Sequence, residues 1–97
     1  MLDHDSALDP VTIRFVDVEQ PDPVLRRWTI FPLVKNYVSC AVSAVLPIET
    51  NCRLKVQWDG ANELVSRDFY GQDVSWLEIT RLGSVWFKSS KVSMLIE

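Results

Sequence analysis

From Val11 to the end of the chain, apolar and polar residues alternate in short runs, and no stretch carries the spacing of an amphipathic helix. A period of two predicts strands with one face buried. The first strand is predicted at residues 11–19, where Val11, Ile13 and Phe15 alternate with Thr12 and Arg14. Pro21-Asp22-Pro23 stops it, because proline fixes φ and removes a ladder donor. Residues 25–31 follow, with Trp28 and Ile30 on one side and Arg27 and Thr29 on the other. Pro32 ends this strand or marks it as a sheet edge. Residues 37–45 are rich in valine and small residues and apolar on both sides, which predicts a central strand.

After a turn around Pro47, residues 52–58 alternate cleanly: Cys52, Leu54, Val56 and Trp58 inward, Arg53, Lys55 and Gln57 outward. Asp59-Gly60-Ala61-Asn62 is the strongest hairpin signal, since glycine supplies the positive φ that tight turns need. The return strand is predicted at residues 64–70, closed by Gly71-Gln72-Asp73. A helix over residues 60–69 is the competing reading, but Val65, Phe69 and Tyr70 are poor helix formers. Residues 74–81 place Leu77 and Ile79 on one face and Trp76, Glu78 and Thr80 on the other. Gly83 turns the chain into residues 85–88, and residues 92–96 finish it.

Strands this short, with a turn every 8–12 residues, predict a single all-β domain over residues 11–97. The expected architecture is an antiparallel β-sandwich, jelly-roll or Ig-like, or a small barrel, of about seven to eight strands. Residues 1–10 read as an extended acidic N-terminal arm. The 97 residues, 47% of them apolar with four Trp and four Phe, supply one hydrophobic core and not two. No run approaches the ~20 apolar residues of a membrane span. The acidic start, Met1-Leu2-Asp3-His4-Asp5, is unlike a secretion signal and points to a cytoplasmic protein, or a virion component if viral.

Charge is uneven. Residues 1–22 carry six acids against Arg14 alone, a net −5, while residues 23–97 carry +2. Such an arm suits a basic surface, its own or a neighbour's, with Asp3, Asp5 and Asp9 as the contact residues; a solvated terminus is the plain alternative. Cys40 and Cys52 each share parity with core residues, which predicts buried free thiols ahead of a cross-strand disulfide or a reactive thiol.

Catalysis has little to build on. His4 is the only histidine and lies in the arm, so no triad with a held imidazole is expected. The carboxylates Asp59 with Glu63, or Asp68 with Asp73, read as hairpin and loop acids rather than an acid–base pair. No metal site is expected from two cysteines twelve positions apart, and no cofactor motif is present. Arg53, Lys55, Arg67, Lys88 and Lys91 read as a solvated basic face, because the strand carries no interleaved aromatics for stacking bases; nucleic acid is not expected.

The aromatics are the better lead. If Leu77 and Ile79 face inward, Trp76 faces outward, and Trp86 and Tyr70 join it in a candidate interface or ligand platform. The reverse assignment, with Trp76 and Trp86 in the core, is equally open to parity. The expected function is a non-catalytic structural or assembly module that binds copies of itself or a larger protein complex, such as a small virion component. The alternative is a carbohydrate-binding module that stacks sugar rings on the aromatic face, with Asp59, Asn62, Gln72 and Asp73 in reach of hydroxyls.

Overall fold

A computed structural model describes residues 9–83, 85–89 and 93–96, the last two stretches as backbone alone. Within them the chain is all-β and has no helix. The strands are β1 (Val11–Asp17), β2 (Arg26–Ile30), β3 (Tyr37–Val45), β4 (Asn51–Trp58), β5 (Leu64–Val65), β6 (Phe69–Tyr70), β7 (Asp73–Thr80), β8 (Val85–Ser89) and β9 (Ser93–Ile96). They form two antiparallel sheets. One runs β2-β1-β4-β5 with β6 also on β4; the other runs β3-β7-β8-β9.

Alternation sets which face each strand buries. On β1, Val11, Ile13 and Phe15 are fully buried and lie opposite Trp58, Val56 and Leu54 of β4, so one face of this pair is continuously apolar. Phe15 sits at its centre, meeting Trp28 and Phe69 edge-on at ring distances of 5.8 and 6.1 Å. Val38 and Ala44 of β3 and Val74, Leu77 and Ile79 of β7 join the same buried cluster. The inward faces of both sheets therefore share one core. Burying each such aliphatic or aromatic side chain contributes ~1.5–3 kcal/mol.

Three sequence expectations change. Residues 37–45 are an edge strand, not a central one. Their two-sided apolar character comes from Ala41 and Val45, which stand exposed opposite the buried face. The free edge is blunted by a bulge between Ala41 and Ala44, and by the Arg26 guanidinium donating to the Ser43 carbonyl.

The return strand at 64–70 is two short strands separated by Ser66, Arg67 and Asp68. The Ser66 hydroxyl accepts from the Leu54 N–H at 2.9 Å and donates to the Arg67 carbonyl at 2.8 Å, so a side chain replaces part of the backbone ladder. Finally, β1 stops at Asp17, whose carboxylate accepts from the Glu19 N–H at 2.9 Å and turns the chain early.

The turns follow the glycine chemistry. Gly60 has φ +79°, and the Ala61 N–H donates to the Trp58 carbonyl at 2.9 Å across the turn that Asp59-Gly60 predicts. No described helix is long and apolar enough to cross a membrane.

Candidate protein-docking surfaces

The sequence-predicted aromatics separate. Tyr70 ends β6 on the five-stranded sheet, opposite the exposed Asn51, and is 74% exposed. Trp76 lies on β7 of the other sheet, half-buried, on the face opposite Leu77 and Ile79, whose full burial decides between the two assignments that parity left open. Its indole N–H donates to the Glu78 carboxylate at 3.1 Å. Tyr70 and Trp76 therefore belong to different sheets and share no strand pairing. Trp86 sits on β8 with its backbone opposite Glu78; its side chain is outside the described residues.

Of the arm residues, Asp3 and Asp5 lie outside the described residues. Asp9 is described, with its carboxylate 3.6 Å from the Arg81 guanidinium. Arg81 in turn lies 5.8 Å over the Trp58 ring. Of the four hairpin and loop carboxylates, Glu63 and Asp68 are held in ion pairs. Glu63 accepts from the Arg14 guanidinium, and Asp68 accepts from Arg53 at 2.8 Å, which holds the Arg53 guanidinium's pKa above its ordinary value. No cluster of three or more metal-ligating side chains occurs among the described residues.

The surface feature that parity did not single out is apolar and confined to the two ends of β3. At its start, the connection from β2 exposes Phe31, Leu33 and Val34 in near succession, with Leu33 95% exposed. Only Pro32 within this run is buried. These residues border a groove of about 270 Å³ walled by Ile30, Tyr37 and Cys40. Asn36, at φ +64°, makes the turn into β3, and its carbonyl accepts from the Arg81 N–H, so the exposed Leu82 stands at the same end.

At the far end, Val45 and Ile48 flank Leu46-Pro47, and Tyr70 stands close by. This end is held together by the Leu46 N–H donating to Gln72 and the Gly71 N–H donating to Thr50. Asp17, Glu19 and Glu49 border the cleft beside Tyr70. Of the eight large apolar side chains exposed among the described residues, all but Val65 belong to one of these ends. A sequence signal existed: Phe31-Pro32-Leu33-Val34 and Val45-Leu46-Pro47-Ile48 are apolar runs in connections, where polar residues are the rule.

Both cysteines are free thiols, Cys52 buried and Cys40 half-buried on the groove wall. Burial, and secondarily the Asp17 carboxylate, push the Cys52 thiol from its ordinary 9.0 up to about 11. Burial alone raises Cys40. A raised folded-state value means the thiol's proton stabilises the fold below pH ~9, and that contribution is lost as pH climbs toward about 11. We expect Cys52→Ser to flatten the alkaline fall in stability between pH 8.5 and 11, measured by urea unfolding at stepped pH. An unchanged pH profile would show that Cys52 does not titrate with folding.

No protein-family model, curated protein or solved structure matches this chain, so the two apolar ends and the charges around them are the features on which its function is read.

Proposed function

We propose that this protein is a non-catalytic structural module, a two-sheet β-sandwich that associates with copies of itself head to tail. The observation that carries the reading is the placement of exposed apolar side chains at both ends of β3, about 26 Å apart for nine residues of strand. Exposed consecutive apolar residues favour aggregation unless they are covered, and two separate patches on one chain suit a contact between unlike ends.

Charge supports the same pairing. Lys35 stands exposed beside Val34 at one end, and Asp17, Glu19 and Glu49 surround the other. An interface of apolar centre with opposite charges at its rim is the usual anatomy of a specific contact. Contacts between unlike surfaces close into rings or continue as filaments, so the proposed setting is a symmetric assembly built from many copies.

Complementary variants test this directly. Leu33→Asp spoils one end and Ile48→Asp the other; both residues are exposed, so neither substitution disturbs the core. Mass measured by light scattering against concentration should show an oligomer for the natural chain and monomers for each variant alone. An equimolar mixture of the two variants should form dimers and nothing larger, because one intact head still meets one intact tail. A monomeric natural chain at millimolar concentration would sink the reading, and so would variants that assemble unchanged.

A further inference from the structure

We propose that the outer face of the five-stranded sheet is a receptor for the acidic segment at residues 1–9 of a second copy, with Arg27, Arg14 and Lys55 as the receiving cations. Strand order creates the site. Arg14 on β1 lies directly opposite Arg27 on β2 and directly opposite Lys55 on β4, so three cations stand in one row across three strands. Residues directly opposite have Cβ atoms ~5 Å apart on the same face, and like charges there repel. The row is therefore a local cost to the fold, as expected of a surface kept for a ligand.

Internal carboxylates offset only part of it. Glu63 takes the Arg14 guanidinium, and Asp68 takes neighbouring Arg53. Arg27 is exposed and Lys55 half-buried, and neither meets a carboxylate among the described residues. Thr12 and Thr29 flank the row on the same face and supply hydroxyls without bulk, while the neighbouring Gln57 amide N–H donates to the Ala61 carbonyl at 2.9 Å. Among the described residues no aromatic stands in or beside the row for bases to stack on, which favours polypeptide carboxylates over nucleic acid.

Charge complementarity selects the occupant. The segment before Val11 carries Asp3, Asp5 and Asp9 and no lysine or arginine. The described part of that segment does not turn back over its own row. Asp9 precedes Pro10, which biases it to extended backbone, and the Pro10 carbonyl accepts from the Asp59 N–H at 2.9 Å, continuing the line of β1. The Asp9 carboxylate turns to Arg81 at the end of β7, on the other sheet. Residues 9–10 thus join β1 at its Val11 end, away from Arg27 and Lys55.

This inference takes the second copy from the self-association reading, but its test does not require assembly. A fluorescent peptide of residues 1–9 is titrated with the whole protein and followed by anisotropy at low and high salt. Binding is expected at low salt and is expected to weaken at least tenfold at high salt. The Arg27→Glu/Lys55→Glu variant should also weaken it at least tenfold, and Arg27→Gln/Lys55→Gln by a smaller factor, with both variants melting no lower than the natural chain.

Leu33→Asp copies should bind the peptide undiminished, which separates this contact from the head-to-tail one. Equal affinity for the charge-reversed protein would overturn the proposal. Peptide binding that emerges only in an Asp3→Lys/Asp5→Lys protein would overturn it too, since the row would then be filled by the chain's own segment. A single-stranded oligonucleotide that binds the row where the peptide does not would assign the face to nucleic acid instead.

Discussion

Gly71→Ala is expected to cost ~3 kcal/mol or more, enough to leave much of the protein unfolded at 37 °C. A methyl group at this position would lie 1.7 Å from the Pro47 carbonyl oxygen and 2.9 Å from that of Leu46. Both neighbours are backbone, so neither can swing aside as a flexible side chain would. The closeness has a structural reason: residues 71–72 carry the chain from β6 on one sheet to β7 on the other, packed flat against the connection between β3 and β4. Two hydrogen bonds hold that crossing, Gly71 N–H to Thr50 and Leu46 N–H to Gln72. Opening a gap for the methyl group would strain both. Urea unfolding checks the expectation, with Gly60→Ala as the comparison: no atom approaches the added methyl group there, and the cost should come only from its positive φ. Equal stabilities for the two variants would show that the crossing tolerates separation.

Phe15→Ala should cost ~3–5 kcal/mol, the range for a large aromatic removed from a closed core. Its ring is fully buried and bridges β2 and β6 by edge-on contacts with Trp28 and Phe69, so its loss leaves a cavity walled by three strands of one sheet. A domain of this size has ~5–15 kcal/mol of stability in total, and the variant would stand near the lower limit of folding. Phe15→Leu should cost much less, because it keeps most of the volume. The check is denaturant unfolding of both variants with an unchanged slope. A loss under ~1 kcal/mol for Phe15→Ala would mean that the sheet collapses around the gap rather than holding it open.

Much of the architecture was legible because strand period and turn chemistry are local. Val11, Ile13 and Phe15 are buried as their alternation predicts, and so are Cys52, Leu54, Val56 and Trp58. Asp59-Gly60 makes the predicted tight turn, whereas parity left open whether Leu77 and Ile79 or Trp76 would face the core, and the structure buries Leu77 and Ile79. Residues 37–45 misled because apolar residues on both faces signal a central strand only if both faces are covered. Ala41 and Val45 are apolar and uncovered. The split at Ser66 was hidden for another reason: a hydroxyl that takes over a ladder bond leaves no mark in a pattern of apolar and polar positions.

The candidate surfaces divide along the same line. The apolar runs around Pro32 and Pro47 are visible as sequence, but not the fact that nine residues of β3 hold them at opposite ends of one sheet. Arg53 and Lys55 can be read as neighbours on one strand face. Arg14 and Arg27 cannot be added to them without knowing that β1 lies between β2 and β4. Nor could parity show that Tyr70 and Trp76 belong to different sheets.

What the sequence determined by itself was therefore local: strand class, most turns, the inward face of most strands and the acidity of the leading segment. Each depends on residues within a few positions of one another, through φ preferences, side-chain alternation and charge. Only the tertiary structure decided which strands are neighbours, which strand is an edge, and which distant residues share a surface. Strand order is set by how two sheets cover one common core, a balance of long-range contacts that no short window of sequence contains. The row Arg27, Arg14 and Lys55 is a product of that balance.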